Sequence, residues 1–200
     1  MVTPISEIPM ADLPTDLRQA IEFHGHFCPG LSIGYRAARI GLDRLRAERA
    51  EDEELVAIVE NDTCAADAVQ VLTGCTFGKG NLVFRDWGKM VFTFALRPSG
   101  RFVRASLKPS RRRPADRSAA IDFLLSESDE DLFDINQGVM DIPAKARHFA
   151  SAPCDGCGEP TMETRLHARA GKRLCPACLA EQTGAEPPAD DGASHAEKAQ

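Results

Sequence analysis

The sequence predicts an α+β fold, an antiparallel sheet with helices packed on it, followed by a small cysteine-rich module. Three observations carry that reading. Strand-like runs cluster in the middle of the chain, and the alternation of MVFTFAL is the clearest of them. Helix-like runs with capping residues flank these strands on both sides. From about residue 150 the texture changes to paired cysteines with few large apolar side chains. At 200 residues and 43% apolar composition, the chain can bury one ordinary core and carry an appendage.

Pro14 and Thr15 read as a helix start, and residues 16–23 as a short amphipathic helix. His24 to Cys28 make a turn around Gly25. Pro29 suits the first position of a second helix, where its missing N–H costs nothing. That helix is expected to run to about Arg49, buried in its early half and charged in its late half. Residues 55–59 are a strand by composition. Asp62 or Thr63 can cap a helix from Cys64 to about Leu72, and Gly74 ends it. A glycine-rich loop, GCTFGKG, follows.

Residues 81–87, 90–96 and 102–107 are then strand-like, the last two joined by a turn at Pro98, Ser99 and Gly100. Phe84, Trp87, Phe92 and Phe94 are expected in the core. The triplet Arg111 to Arg113 reads as a solvated basic turn. Residues 115–125 and 129–135 look helical, the second capped by Ser126 or Ser128. The expected plan is a core domain over 1–150, a cysteine module over 151–183 and a disordered tail over 184–200.

The net charge of −6 argues against nucleic acid as the partner of the whole chain. No apolar run approaches a membrane span, and the N-terminus has no signal-peptide pattern, so a cytoplasmic, reducing setting is expected. There cysteines serve as ligands or reactive thiols, and seven of them cannot all pair within one chain.

Four of the seven stand as CDGC and CPAC: Cys154, Cys157, Cys175 and Cys178. Two C-x2-C pairs separated by 17 residues fit a closed tetrahedral Zn²⁺ site, each pair turning two thiolates toward one point. The segment is too short to fold without a staple, so the zinc is expected to be structural. The basic stretch between the pairs, with Arg165, His167, Arg169, Lys172 and Arg173, reads as a solvated hairpin.

A second concentration of donors is FHGHFCPG. In an extended stretch alternate side chains point the same way, so His24, His26 and Cys28 can face one cavity. Imidazole and thiolate suit Zn, Ni, Cu or Fe and do not suit Mg²⁺ or Ca²⁺. Cys28 precedes a helix N-terminus, where the dipole favours negative charge. The residues alone leave a bland alternative, with His24 as a helix cap and Cys28 as a small buried hydrophobe. NDTCAAD adds Asp62, Cys64 and Asp67 at a strand-to-helix junction. GCTFGKG adds Cys75 and Lys79; it is not a phosphate-binding P-loop, and Lys79 is either a solvated lysine or a cation beside an anionic ligand.

These three motifs in order, FHGHFCPGLSIGYR, NDTCAADAVQVLTGCTFGKGNL and the paired CxxC, resemble the FmdE family, named for a component of molybdenum formylmethanofuran dehydrogenase. The resemblance implies an α+β core, a C-terminal treble-clef zinc finger and a homodimer. It also implies a metal or active-site cleft on His24, His26, Cys28 and Cys64. It gives Cys28, Cys64 and Lys79 as catalytic candidates, and leaves a second transition metal (Zn, Ni or Fe) as the core cofactor. The expected function is that of an accessory or enzymatic partner of a molybdenum or tungsten enzyme, with a small-molecule or sulfur-containing ligand. A metal or sulfur carrier that docks clients through the zinc finger is the rival, and a zinc-finger DNA-binding regulator a third.

Overall fold

The computed structural model describes residues 7–110, 112–146 and 149–184. The tail from residue 185, together with Arg111, His148 and His195, lies outside the described residues. The chain divides into two compact units, Met1–Lys145 and Ala146–Gln200.

In the first unit, α1 (Thr15–His24) ends where Gly25 takes a left-handed conformation, φ 88°, which turns the chain sharply without a Cβ penalty. Helix α2 (Pro29–Leu45) begins on Cys28 and Pro29, as the sequence predicts. It stops four residues short of Arg49, because Arg46 enters the left-handed region and the Ala47 amide donates back to Leu42. The chain then tucks inward, and Ala50 is buried with its amide on the Thr73 carbonyl.

Strand β1 (Leu55–Val59) is buried at every position, and α3 (Ala65–Thr73) follows. Then come β2 (Leu82–Phe84), β3 (Val91–Leu96), β4 (Arg101–Leu107), α4 (Arg117–Ser126), the one-turn α5 (Asp129–Leu132) and β5 (Phe133–Val139). The sheet order is β2-β1-β3-β4-β5. It is antiparallel except where β2 runs parallel to β1, since the connection between them is the crossover helix α3.

Two expectations are corrected here. Residues 129–135 are not one helix. Ser128 caps a single turn as expected, but Phe133 and Ile135 belong to β5, which satisfies the open edge of β4 from Phe133 opposite Leu107 onward. Trp87 is not in the core: β2 ends at Phe84, and the indole is 54% exposed. Phe92 and Phe94 are fully buried, and Phe84 packs against the same cluster partly exposed.

Helix α2 presses closely on its neighbours through missing side chains. A Cβ on Gly34 would lie 2.1 Å from the Ala65 carbonyl oxygen, and one on Gly41 would lie 2.3 Å from the Phe94 ring. The first contact brings the start of α3 against the early turns of α2, which places Cys64 near Cys28.

The second unit is small. Strands β6 (Ser151–Pro153) and β7 (Pro160–Met162) pair around the first cysteine knuckle. Strands β8 (His167–Arg169) and β9 (Lys172–Leu174) form a basic hairpin, and α6 (Pro176–Thr183) starts on the second knuckle. Among its described residues the buried cluster is Cys154, Leu174 and Cys175, edged by Leu166, Cys178 and Leu179. Among the described residues of both units, no helix is long and apolar enough to cross a membrane.

Candidate metal centres

The thiols of Cys154, Cys157, Cys175 and Cys178 lie within 4.8 Å of one another. Backbone amides already point at the sulfurs: Gly156 N–H and Cys175 N–H donate to Cys154 Sγ at 3.3 and 3.1 Å, and Cys178 N–H donates to Cys175 Sγ at 3.4 Å. The backbone amides of Cys175, Cys157 and Gly156, that of Cys175 first, hold the Cys154 thiol down at about 6. The neighbouring sulfurs, Cys175 first, push Cys178 up to about 12. Four thiols this close do not all lose their protons unless a cation lies between them, and Zn²⁺ matches both the donor set and the spacing. No coordination position is left open in such a site.

The core cluster is built differently. His24 is the last residue of α1, His26 lies in the turn, and Cys28 caps α2, accepting the Leu31 amide at 3.4 Å. The ligand atoms of His24, His26 and Cys28 lie within 4.8 Å of one another. The two imidazole rings are 4.4 Å apart. His24 Nδ1 is 2.7 Å from Asp67 Oδ2 on the first turn of α3. The carboxylate accepts the Nδ1 proton, which leaves the Nε2 lone pair facing Cys28 Sγ at 3.8 Å. The sequence put Asp67 in the second cluster but gave it no role; its pairing with a histidine 43 positions away appears only in the fold.

Cys64 stands beside this group rather than within it. Burial raises its thiol pKa, and contact with Cys28 raises it further. Gly30 opens the space between the two sulfurs: a Cβ there would lie 3.1 Å from Cys64 Cβ and 3.9 Å from Cys28 Sγ. Cys28 is buried, Cys64 and His24 are half-buried and His26 is exposed, so the cluster reaches from the core to solvent. The donor set of two imidazoles and one thiol, with a second thiol alongside, fits a borderline transition metal.

Lys79 and Cys75 are placed elsewhere. Their loop follows the C-terminal end of α3, about 13 Å along that helix from Cys64 by its rise per residue. Lys79 Nζ donates to the carbonyls of Ala50 at 3.2 Å and Glu51 at 3.4 Å. Cys75 is buried, donates to the Leu55 carbonyl at 3.4 Å, and has its pKa pushed up to about 11 by that burial. Both side chains tie the 46–54 loop and β1 together. A cavity of about 490 Å³ is lined by Gln19, Phe23, Arg49, Gln70, Val71 and Thr76, none of them a candidate donor. The donor geometry rather than this hollow marks the site, since its lining offers no titratable group except Arg49.

A family profile described as FmdE, molybdenum formylmethanofuran dehydrogenase operon, matches residues 23–134. A prokaryotic dksA/traR C4-type zinc-finger profile matches residues 147–184. A curated relative from Archaeoglobus fulgidus, a probable S-adenosyl-L-methionine-binding protein, is 29% identical over 189 residues. The match covers 79% of this chain and 52% of the relative, so the chain spans about half of that protein's length. The crystal structure of an FmdE-like protein of the tungsten formylmethanofuran dehydrogenase type, from Syntrophus aciditrophicus, superposes with a TM-score of 0.62 at 25% identity. That similarity covers 84% of this chain and 90% of the other.

Proposed function

The chain belongs to the FmdE family, and from that premise we propose that it is a metal-binding accessory or enzymatic partner of a molybdenum or tungsten formylmethanofuran dehydrogenase-type system. One observation carries the core site: the ligand atoms of His24, His26 and Cys28 converge within 4.8 Å. These three side chains would hold a transition metal, Zn, Ni or Fe. Such an ion supplies Lewis acidity and an exchangeable position for a small ligand. Asp67 fixes the His24 tautomer, and Cys64 stands ready as a fourth donor or as a thiol that meets the ligand. Gly30 keeps the approach between the sulfurs open. S-adenosylmethionine, for which the archaeal relative is named, is the first small molecule to test there.

Metal content of the purified full chain tests the reading. We expect two metals per chain, one remaining in the Cys28→Ala variant and one remaining in the Cys154→Ala/Cys157→Ala variant. One metal in the full chain and none in the module variant would remove the core ion. The contact between Cys64 and Cys28 favours a second reading in that case, a sulfur carrier working through the two thiols. A carrier delivers about one equivalent per site and stops, whereas an enzyme turns over.

A further inference from the structure

Between β2 and β3 the chain makes a short exposed loop that neither metal cluster uses. It presents Arg85, Trp87 and Lys89. The Arg85 guanidinium lies 5.1 Å from the Trp87 ring centroid, and the Lys89 ammonium 5.4 Å from it. Trp87 is the single tryptophan of the chain. An indole left more than half exposed forgoes the burial its size would give, and this one carries two cations over its ring.

Among the described residues, Arg85 and Lys89 form no ion pair with a carboxylate. For Arg85 this is a choice the fold makes. The parallel register of β1 and β2 carries Arg85 to the position next to Glu60, and the Arg85 amide donates to the Val59 carbonyl. Glu60 is buried, sits 3.6 Å from Arg104 through one oxygen, and has its other oxygen without a partner. The guanidinium of Arg85 stacks on Trp87 all the same.

The loop is also fastened to the motif that bears Cys64. Asn61 Nδ2 donates to the Lys89 carbonyl at 2.9 Å, the Lys89 amide donates to the Glu60 carbonyl at 2.8 Å, and the Thr63 hydroxyl contacts Met90 Sδ at 3.8 Å. Asn61 is itself buried, so the loop is a fixed feature at the end of β1 and not a loose excursion. Two cations without an ion-pair partner among the described residues, set against the one exposed carboxylate of the loop, Asp86, suit an oxyanion, the guanidinium offering a fork and the ammonium a point charge.

We propose that Arg85, Trp87 and Lys89 form a binding site for a phosphate group, either free or as the anionic end of a phosphate monoester. The site adjoins the Asn61–Cys64 turn through the Asn61–Lys89 and Thr63–Met90 contacts.

Trp87 makes the test direct, because all tryptophan emission comes from the site. The full chain is titrated with inorganic phosphate and, separately, with glycerol 3-phosphate at constant ionic strength. Saturable emission changes are expected in both arms. Lys89→Gln and Arg85→Gln should each weaken the midpoint at least tenfold. Cys28→Ala should leave it unchanged, which separates this site from the metal cluster. Tighter binding of the ester would identify an ester as the source, and equal binding would identify free phosphate. No saturable change, or a midpoint that Lys89→Gln leaves intact in a chain with an unchanged melting curve, would overturn the proposal.

Discussion

In the C-terminal module four cysteines bring their ligand atoms together, while in the core unit two histidines and one cysteine do, with a second cysteine alongside. Among the described residues the module's buried cluster is Cys154, Leu174 and Cys175, whereas His24, His26 and Cys28 sit at the α1–α2 turn of a unit braced by a five-stranded sheet. Closed coordination and a missing core go together because the metal must supply the folding energy. The core unit needs no such staple: its scaffold is stable without an ion, and an ion bound at the proposed core site could keep a coordination position open. The contrast separates an ion that holds the protein together from a site able to bind something else.

The most forceful way to break this comparison is to strip the metals. Chelation should unfold the module, since structural zinc contributes an apparent ~10–16 kcal/mol in comparable small modules. Amide signals from residues 149–184 should collapse toward random-coil shifts in a heteronuclear NMR spectrum, while those of β1, β3 and β4 stay dispersed. A module that keeps its dispersion after zinc loss, measured by elemental analysis, would remove the distinction between the two regions.

A smaller effect sharpens the other side. Asp67→Asn takes the carboxylate from His24 Nδ1 and frees the ring to turn or change tautomer. Loss of such a supporting carboxylate lowers metal affinity about 10- to 100-fold. Competition with a chromophoric chelator should show that weakening at the core site alone, with the module zinc and the melting temperature unchanged. Asp67→Glu should restore part of the affinity. Equal loss at both sites would mean that the substitution disturbs the whole chain.

Much of this was legible because local chemistry decided it. Pro29 behind Cys28, Gly74 after α3, Ser128 before α5 and the apolar run of β1 each carry their own reason for a boundary. The closeness of His24, His26 and Cys28 was legible too, since five consecutive residues bring the three together whatever lies around them. What escaped depends on partners distant in sequence. DLFDI favours helix locally, yet the open edge of β4 recruits Phe133 into a strand. Trp87 matched a strand pattern, but β2 ends three residues earlier. Lys79 reads as a free cation until the carbonyls of Ala50 and Glu51, nearly thirty positions away, close on it. Asp67 could be placed at a helix start without any sign that it would meet His24.

The smallest effect contrasts the cluster thiols with Cys75, which is fully buried and donates its S–H to Leu55. Burial raises its pKa from 9.0 to about 11, so the folded chain keeps that proton after the unfolded chain has lost it. Between those values the unfolded state binds fewer protons than the folded state, and stability must fall as pH rises; below pH 9 the group contributes no slope. At pH 10, one unit above the ordinary value, the loss from this thiol is about 1.4 kcal/mol. Urea denaturation of the chain and of Cys75→Ala, each at pH 8 and pH 10, isolates it. The variant begins lower because it loses packing, but its decline over that interval should be shallower by about that amount. Equal declines in the two chains would mean that Cys75 titrates like an exposed thiol, and that the GCTFGKG loop opens to solvent far more readily than its hydrogen bonds allow.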